Sequence, residues 1–126
     1  MGREENAALA ERIWGSTNQG DFISVLREVL AENCVQDWPQ SGEVIRGKSN
    51  MIAINENYPG LPKATIRRTR ADERLVVIEV DLDYGGKLYH AVSILEVEDG
   101  TVVRETEYFA EPFEAPQWRA QWVERA

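Results

Sequence analysis

Apolar positions in the first half of the chain recur every three to four residues, whereas those in the second half alternate with polar ones. The first spacing predicts amphipathic helices. One covers about residues 4–17, a second follows Asp21 as its expected N-cap, and a third begins at Ser49. The proline-containing segment 59–62 ends the third helix, because proline cannot continue one.

From Thr65 onward the alternation predicts strands. The paired glycines at 85–86 indicate a tight hairpin turn, and counting outward from it pairs Val80 with Ala91 and Ile78 with Ser93. One face of this hairpin is then mostly apolar. Its members are Val76, Ile78, Val80, Leu82, Tyr84, Tyr89, Ala91, Ser93, Leu95 and Val97.

A second turn is predicted at residues 99–100, and its geometry decides where two glutamates point. A three-residue loop with a glycine bulge would place Glu105 beside Ser93 and Glu107 beside Ala91, both facing inward. A two-residue turn would direct both glutamates outward. The Glu-Asp-Gly sequence is typical of the bulged loop, so the inward arrangement is favoured.

Three helices followed by an antiparallel meander predict an α+β fold, with the helices on one face of a curved sheet. Residues 1–126 are expected to form a single domain, because the chain is short and has no linker or internal repeat. A curved sheet wrapped around helices leaves a concave, largely apolar interior. That shape suits a pocket for a small molecule.

Composition narrows the function by exclusion. The chain carries a net charge of −8, which disfavours nucleic acids and anionic membrane surfaces as partners. The acidic start lacks the apolar stretch of a signal peptide, and one cysteine, Cys34, cannot form an intrachain disulfide. A cytoplasmic location is therefore expected. No phosphate loop, nucleotide fingerprint or cysteine-based metal spacing is present, so no cofactor or metal is expected.

Four short motifs in a fixed order give the chain a resemblance to a known family. They are Asn-Gln-Gly-Asp-Phe at 18–22, Val-Gln-Asp-Trp-Pro at 35–39, Ile-Arg-Gly at 45–47, and the strand sequence at 97–109. Together they resemble the nuclear-transport-factor-2-like (NTF2-like) superfamily, and within it the SnoaL-like proteins. The resemblance implies a cone-shaped α+β roll of the cystatin type, in which three N-terminal helices pack on a strongly curved antiparallel sheet.

The superfamily includes ketosteroid isomerases, polyketide cyclases, epoxide hydrolases and non-catalytic binding domains, so the fold alone does not select a function. By resemblance, Asp37 takes the place of the isomerases' general base. Their two oxyanion donors would fall at Ile13 and Ser93, so steroid isomerisation is not expected. Glu107 resembles the water-activating aspartate of the epoxide hydrolases. In the SnoaL-type cyclases, an acidic residue on the last strand acts as the acid–base group. Glu105 or Glu107 could supply this residue.

The expected function is binding of a small, mostly hydrophobic molecule, with acid–base chemistry of the isomerase, cyclase or hydratase type by Glu107 and Asp37. A non-catalytic ligand-binding or interaction domain is the alternative. The expected ligand-binding residues are Trp38, Tyr58, Ile78, Val80, Ser93, Leu95 and Glu105. The single histidine, His90, should face Asp81 on the outer side of the sheet, away from the pocket.

The outer face of the sheet also predicts a partner. Alternation places Val77, Val92 and Ile94 on this face, and exposed apolar strand residues are unfavourable in a monomer. A homodimer formed through this face is therefore expected, as the resemblance also implies.

Overall fold

The computed structural model describes residues 2–126 and shows helices packed on one side of a six-stranded sheet. The three helices precede most of the sheet in the chain. In chain order the elements are α1 (Arg3–Gln19), α2 (Phe22–Val29), β1 (Leu30–Trp38), β2 (Glu43–Arg46), α3 (Lys48–Glu56), β3 (Lys63–Ala71), β4 (Leu75–Tyr84), β5 (Lys87–Glu98), β6 (Thr101–Ala110) and the 3-10 helix η1 (Gln117–Trp122).

The strand order is β2-β1-β6-β5-β4-β3, and all neighbours are antiparallel except β1 and β6, which run parallel. The predicted α+β class is confirmed, while the sheet is mixed rather than wholly antiparallel. Strands β1 and β2 are not apparent from the hydrophobic pattern. Strand β1 follows α2 without an intervening turn, and an irregularity between Leu30 and Val35 interrupts its alternation.

The β4–β5 hairpin has the predicted register. Val80 faces Ala91 and Ile78 faces Ser93, as counting from the two-glycine turn predicts. The predicted apolar face is buried from residue 76 to 82 and from 91 to 97, at every second position. This face is the floor of the core beneath the helices.

Strand β6 reaches the predicted orientation by a different geometry. The turn before it is a two-residue turn, with positive φ at Asp99 and Gly100, and Glu98 faces Thr101. An extra residue, Val103, is then inserted between the pairs that flank it, which is a β-bulge. The bulge shifts the alternation by one position.

Both glutamates of β6 consequently face inward. Glu105 pairs with Leu95 and Glu107 pairs with Ser93. The prediction that they point to the interior is confirmed, whereas the three-residue loop and the pairings of Glu105 with Ser93 and of Glu107 with Ala91 are wrong. The register is displaced by two residues because the extra residue lies within the strand and not in the turn.

Helix α1 closes the core over β3 and β4. Two side-chain amides, those of buried Asn6 and exposed Asn18, hold it there. The Asn6 Nδ2 atom donates to the backbone oxygens of Asp72 and Glu73 at 3.1 and 3.0 Å. Asn18 both donates to and accepts from the backbone of Ala64, at 2.8 Å each. Asp21 precedes α2 as expected, but its side chain makes no capping hydrogen bond.

The segment after β6 is largely exposed. Its hydrophobic side chains are the most exposed of their kind among residues 2–126: Phe113 at 82%, Trp118 at 74% and Trp122 at 72%. No helix in the described part of the chain combines the length and apolar character that spanning a bilayer requires.

The turn from β2 into α3 generates a stability prediction. Gly47 has φ 88° and ψ 146°, an extended conformation of positive φ that other residues avoid, and its N–H donates to the Cys34 oxygen at 2.7 Å. We expect Gly47→Ala to lower the free energy of unfolding by about 1–3 kcal/mol. Urea denaturation followed by circular dichroism measures it.

Gly15, in the interior of α1, is the matched control. A β-carbon there meets no atom within 4 Å, so Gly15→Ala should raise the free energy of unfolding by about 0.5–1 kcal/mol. Equal effects of the two alanine variants would contradict the argument from backbone conformation.

Candidate functional site

A cavity of about 540 Å³ opens between the helices and the concave side of the sheet. Helices α1, α2 and α3 supply one wall, while β1, β6 and the loop after α3 supply the others. Seven aromatic side chains lie in the lining. They are Trp14, Phe22, Trp38, Tyr58, Tyr84, Tyr89 and Phe109.

Three acidic residues line this cavity, and two of them, Glu105 and Glu107, are buried, whereas Glu111 is exposed and pairs with Lys87. Glu105 and Glu107 are each only 7% exposed. They lie two residues apart on β6, so their side chains project from the same face of the sheet. Their shared direction follows from the bulge at Val103.

Three neutral donors hold the two carboxyl groups. Gln36 on β1 donates from Nε2 to Oε1 of Glu105 at 2.6 Å and to Oε1 of Glu107 at 2.7 Å. Trp38 donates its indole N–H to the same Glu107 oxygen at 2.9 Å, and the Ser93 hydroxyl donates to Oε2 of Glu107 at 3.0 Å. Within residues 2–126, no lysine, arginine or histidine forms an ion pair with either glutamate.

This environment raises the pKa of both carboxyl groups. Burial is the main cause of the raised pKa of Glu105, and the charge of Glu107 raises it further. Burial also raises the pKa of Glu107, against the opposing effect of the hydrogen bonds from Trp38 and Ser93. Glu107 accepts three hydrogen bonds and Glu105 accepts one, so the pair retains a proton most readily on Glu105.

The cavity rim is a cluster of three tyrosines. The hydroxyls of Tyr58 and Tyr84 lie 3.2 Å apart, and the rings of Tyr84 and Tyr89 pack edge to face at 5.5 Å. Burial, followed by the hydrogen bond to Tyr58, raises the pKa of Tyr84. The Tyr84 hydroxyl is therefore neutral, and it adds polarity to the rim without charge.

Comparison with known proteins identifies the family. A family model described as a SnoaL-like domain matches residues 10–105. The chain belongs to the SnoaL-like family. Its resemblance to the NTF2-like superfamily is thereby confirmed. No curated protein matches the chain.

Solved structures agree with this assignment. The SnoaL-like chain is similar to an NTF2-like protein of unknown function from Burkholderia xenovorans LB400, at 35% identity and a TM-score of 0.89, over 98% of this chain and 96% of the other. It is also similar to a candidate ketosteroid isomerase from Kribbella flavida, at 33% identity and a TM-score of 0.88, over 98% and 91%. An LEH-like epoxide hydrolase from M. tuberculosis shares the fold, at 20% identity and a TM-score of 0.72, over 85% and 84%.

The SnoaL-like cavity includes four of the residues expected there: Trp38, Tyr58, Glu105 and Glu107. The other expected ligand-binding residues do not line it. Those residues are Ile78, Val80, Ser93 and Leu95, which are at most 1% exposed. They lie on the predicted face, but in its fully buried central part, where α1 packs on β4. Ser93 reaches the site only through its hydrogen bond to Glu107.

Asp37 is not in the cavity, which corrects its expected position. It projects from the opposite face of β1 to its neighbours Gln36 and Trp38, and it forms an ion pair with Arg104 at 2.8 Å. Gln36 holds the place that was expected for Asp37. Alternation along 36–38 would have found it, since Trp38 and Gln36 share one face.

His90 lies where the alternation predicts. Its Nδ1 atom is 2.8 Å from Oδ1 of Asp81, its cross-strand neighbour on the outer face. In the chain from residue 2 onward, no three histidine, cysteine or acidic side chains come together as a metal site would need. Neither His90 nor Asp81 lines the cavity.

The buried carboxyl pair predicts a specific pH dependence of stability. Because Glu105 has a raised pKa in the folded protein, its contribution to stability is fully present below the ordinary value of 4.5 and is lost as the pH rises through the folded pKa. Glu105→Gln removes the buried charge. We expect the free energy of unfolding of this variant, measured relative to that of the wild type, to increase as the pH rises above 4.5.

Urea unfolding at a series of pH values measures the difference. Glu98→Gln, at an exposed position at the end of β5, is the matched control and should follow the wild type. A constant offset between Glu105→Gln and wild type across the series would contradict a raised pKa.

Proposed function

We propose that the cavity binds a small, neutral, mostly hydrophobic molecule and that the Glu105–Glu107 pair transfers a proton to or from it. The supporting observation is the burial of two carboxyl groups in a cavity with an aromatic lining. Among residues 2–126, the side chains that donate hydrogen bonds to these carboxyls are all neutral. Such a pair serves acid–base chemistry, because burial brings carboxyl pKa values toward neutrality.

The two glutamates have different roles in this proposal. Glu107, with three donors on its carboxylate, is the base that accepts a proton from the ligand or from a water molecule. Glu105, which retains its proton more readily, is the acid that returns one. Two carboxyls whose surroundings separate their pKa values are a recurring arrangement for paired acid and base.

Charge supports a neutral ligand. A carboxylate or phosphate on the ligand would lie near buried Glu107, and no basic side chain of the described residues lines the main cavity to compensate it. The aromatic lining favours a flat apolar skeleton instead. A volume of about 540 Å³ accommodates a molecule of a few fused rings.

The proposed reaction is a proton transfer that forms part of an isomerisation, a cyclisation or an addition of water. The Kribbella relative described as a candidate ketosteroid isomerase supports an acid–base site in this family branch. Steroid isomerisation itself is disfavoured here: Ile13 lines the cavity without a donor, and the Ser93 hydroxyl is engaged by Glu107.

Deuterium uptake tests the base. The probe is beta-tetralone, a neutral bicyclic ketone with acidic C–H groups, incubated with the protein in D2O and followed by proton NMR. We expect exchange above the buffer rate, and we expect Glu107→Gln to lower that excess by about 10²–10⁴-fold, because a general base contributes this much.

Two further variants separate the possible readings. Glu98→Gln should exchange like the wild type. Asp37→Asn tests the residue that family resemblance selects, and a loss with this variant in place of Glu107→Gln would contradict the assignment of the base. Saturable binding of the probe without exchange would favour the alternative, a non-catalytic binding domain.

We further propose that the protein is a homodimer formed through the outer face of the sheet. Val92 faces the exposed Tyr108 across β5 and β6, and Val77 faces Ile94 across β4 and β5, so an apolar patch crosses three strands. A patch of this kind is typical of an interface. The single buried thiol, Cys34, is compatible with the proposed cytoplasmic location.

Light scattering measures the dimer. We expect a mass twice that of the 14.3 kDa chain at micromolar concentration, and a monomer for Val92→Lys, because the lysine places a charge at the centre of the patch. Glu98→Lys, which adds a lysine at the end of β5, is the control. A monomeric wild type would contradict the proposal.

A further inference from the structure

Two buried polar atoms in the cavity lining have no hydrogen-bond partner among residues 2–126. They are the indole nitrogen of Trp14, a donor, and Oε1 of Gln36, an acceptor. Buried donors in folded proteins are normally paired, so each exception calls for an explanation. The Gln36 side chain is already bound to the carboxyl pair through its other end. Trp14 makes no side-chain hydrogen bond to any described residue.

The other tryptophans make this absence specific. Trp38, the second indole of the cavity, donates to Glu107 at 2.9 Å. Trp118 and Trp122 are more than 70% exposed, so water can satisfy their N–H groups. Trp14 is 8% exposed, and its nitrogen is closed to water. Of the four indoles, only that of Trp14 lacks both a protein acceptor and solvent.

The position of Trp14 in α1 connects it with the ligand. Helix α1 is held against the sheet by the side-chain amides of Asn6 and Asn18, which keeps Trp14 at the cavity wall. The hydroxyl of its neighbour Thr17 donates to the Trp14 backbone oxygen at 2.8 Å. The outer torsion of a tryptophan has a broad minimum, so a small rotation would present the N–H to a molecule in the cavity.

We propose that Trp14 is a specificity residue whose indole N–H donates a hydrogen bond to an oxygen atom of the ligand. The ligand class is then a neutral, ring-containing molecule with an acceptor oxygen, such as a ketone, and a plain hydrocarbon of the same shape binds more weakly. This inference rests on the proposed function, since it assigns a contact within the same cavity.

Two isosteric probes isolate this hydrogen bond. Acetylnaphthalene carries a ketone oxygen, and isopropenylnaphthalene, substituted at the same ring position, has a CH₂ group in its place. Dissociation constants come from NMR titration of backbone amide signals. We expect the wild type to prefer the ketone by about tenfold, because one hydrogen bond to a buried donor is worth about that factor.

Trp14→Phe removes the N–H and keeps an aromatic ring. This variant should lose the preference, because its affinity for the ketone falls while its affinity for the alkene stays within about twofold of the wild type. Trp118→Phe should change neither affinity. A second measurement uses the wild type and does not depend on the folding of the Trp14 variant. The chemical shift of the Trp14 indole N–H should change on titration with the ketone and stay constant on titration with the alkene. Trp118→Phe and Trp122→Phe help assign the four indole signals.

The outcomes separate this inference from the function on which it rests. Equal affinity of the wild type for both probes, or an indole signal that moves equally with both, overturns the role of Trp14 and leaves the cavity proposal standing. Failure of the wild type to bind either probe overturns the binding proposal and the role of Trp14 with it. A ketone preference that persists in a folded Trp14→Phe variant also overturns the role of Trp14.

Discussion

The site depends on one inserted residue, Val103, in strand β6. Side chains of a strand alternate between its two faces, so a single extra residue exchanges the faces for everything beyond it. Before the bulge the buried position is even-numbered, at Val102. Beyond the bulge the buried positions are odd-numbered, at Glu105 and Glu107. An uninterrupted strand would direct Arg104 into the interior and both acids into solvent. The acidic character of the cavity is therefore a consequence of backbone register.

That register places charge where burial is unfavourable. Two carboxyls beside each other, held only by neutral donors, destabilise the fold whenever both are ionised. Retaining a proton on the pair relieves this, and Gln36 bridges both groups from the neighbouring parallel strand. An apolar side chain in the same space would give the folded state a lower free energy. A loss of folding stability of this kind is typical of functional sites.

Sequence patterns predict the parts of this fold that rest on local geometry. The two-glycine turn at 85–86 and strict alternation fix the β4–β5 register, so Val80 and Ala91 meet as counted. Strand β1 escapes prediction because its pairing with β6 is non-local and its alternation is interrupted before Val35. The direction of Glu107 was predicted from a bulged loop, whereas the bulge lies inside the strand. Hydrophobicity alone does not locate such an insertion.

Family membership predicts the cavity better than it predicts the reacting groups. Resemblance places the base on β1 at Asp37, yet that residue pairs with Arg104 on the outer face. The acids of the cavity come from β6 and the amide that holds them comes from β1. Because β1 and β6 are adjacent and parallel, an acid on either strand can project into the same space. A cone-shaped fold can thus move its acid from one strand to the next without changing shape, so the side chains that face inward, and not the fold, determine the chemistry.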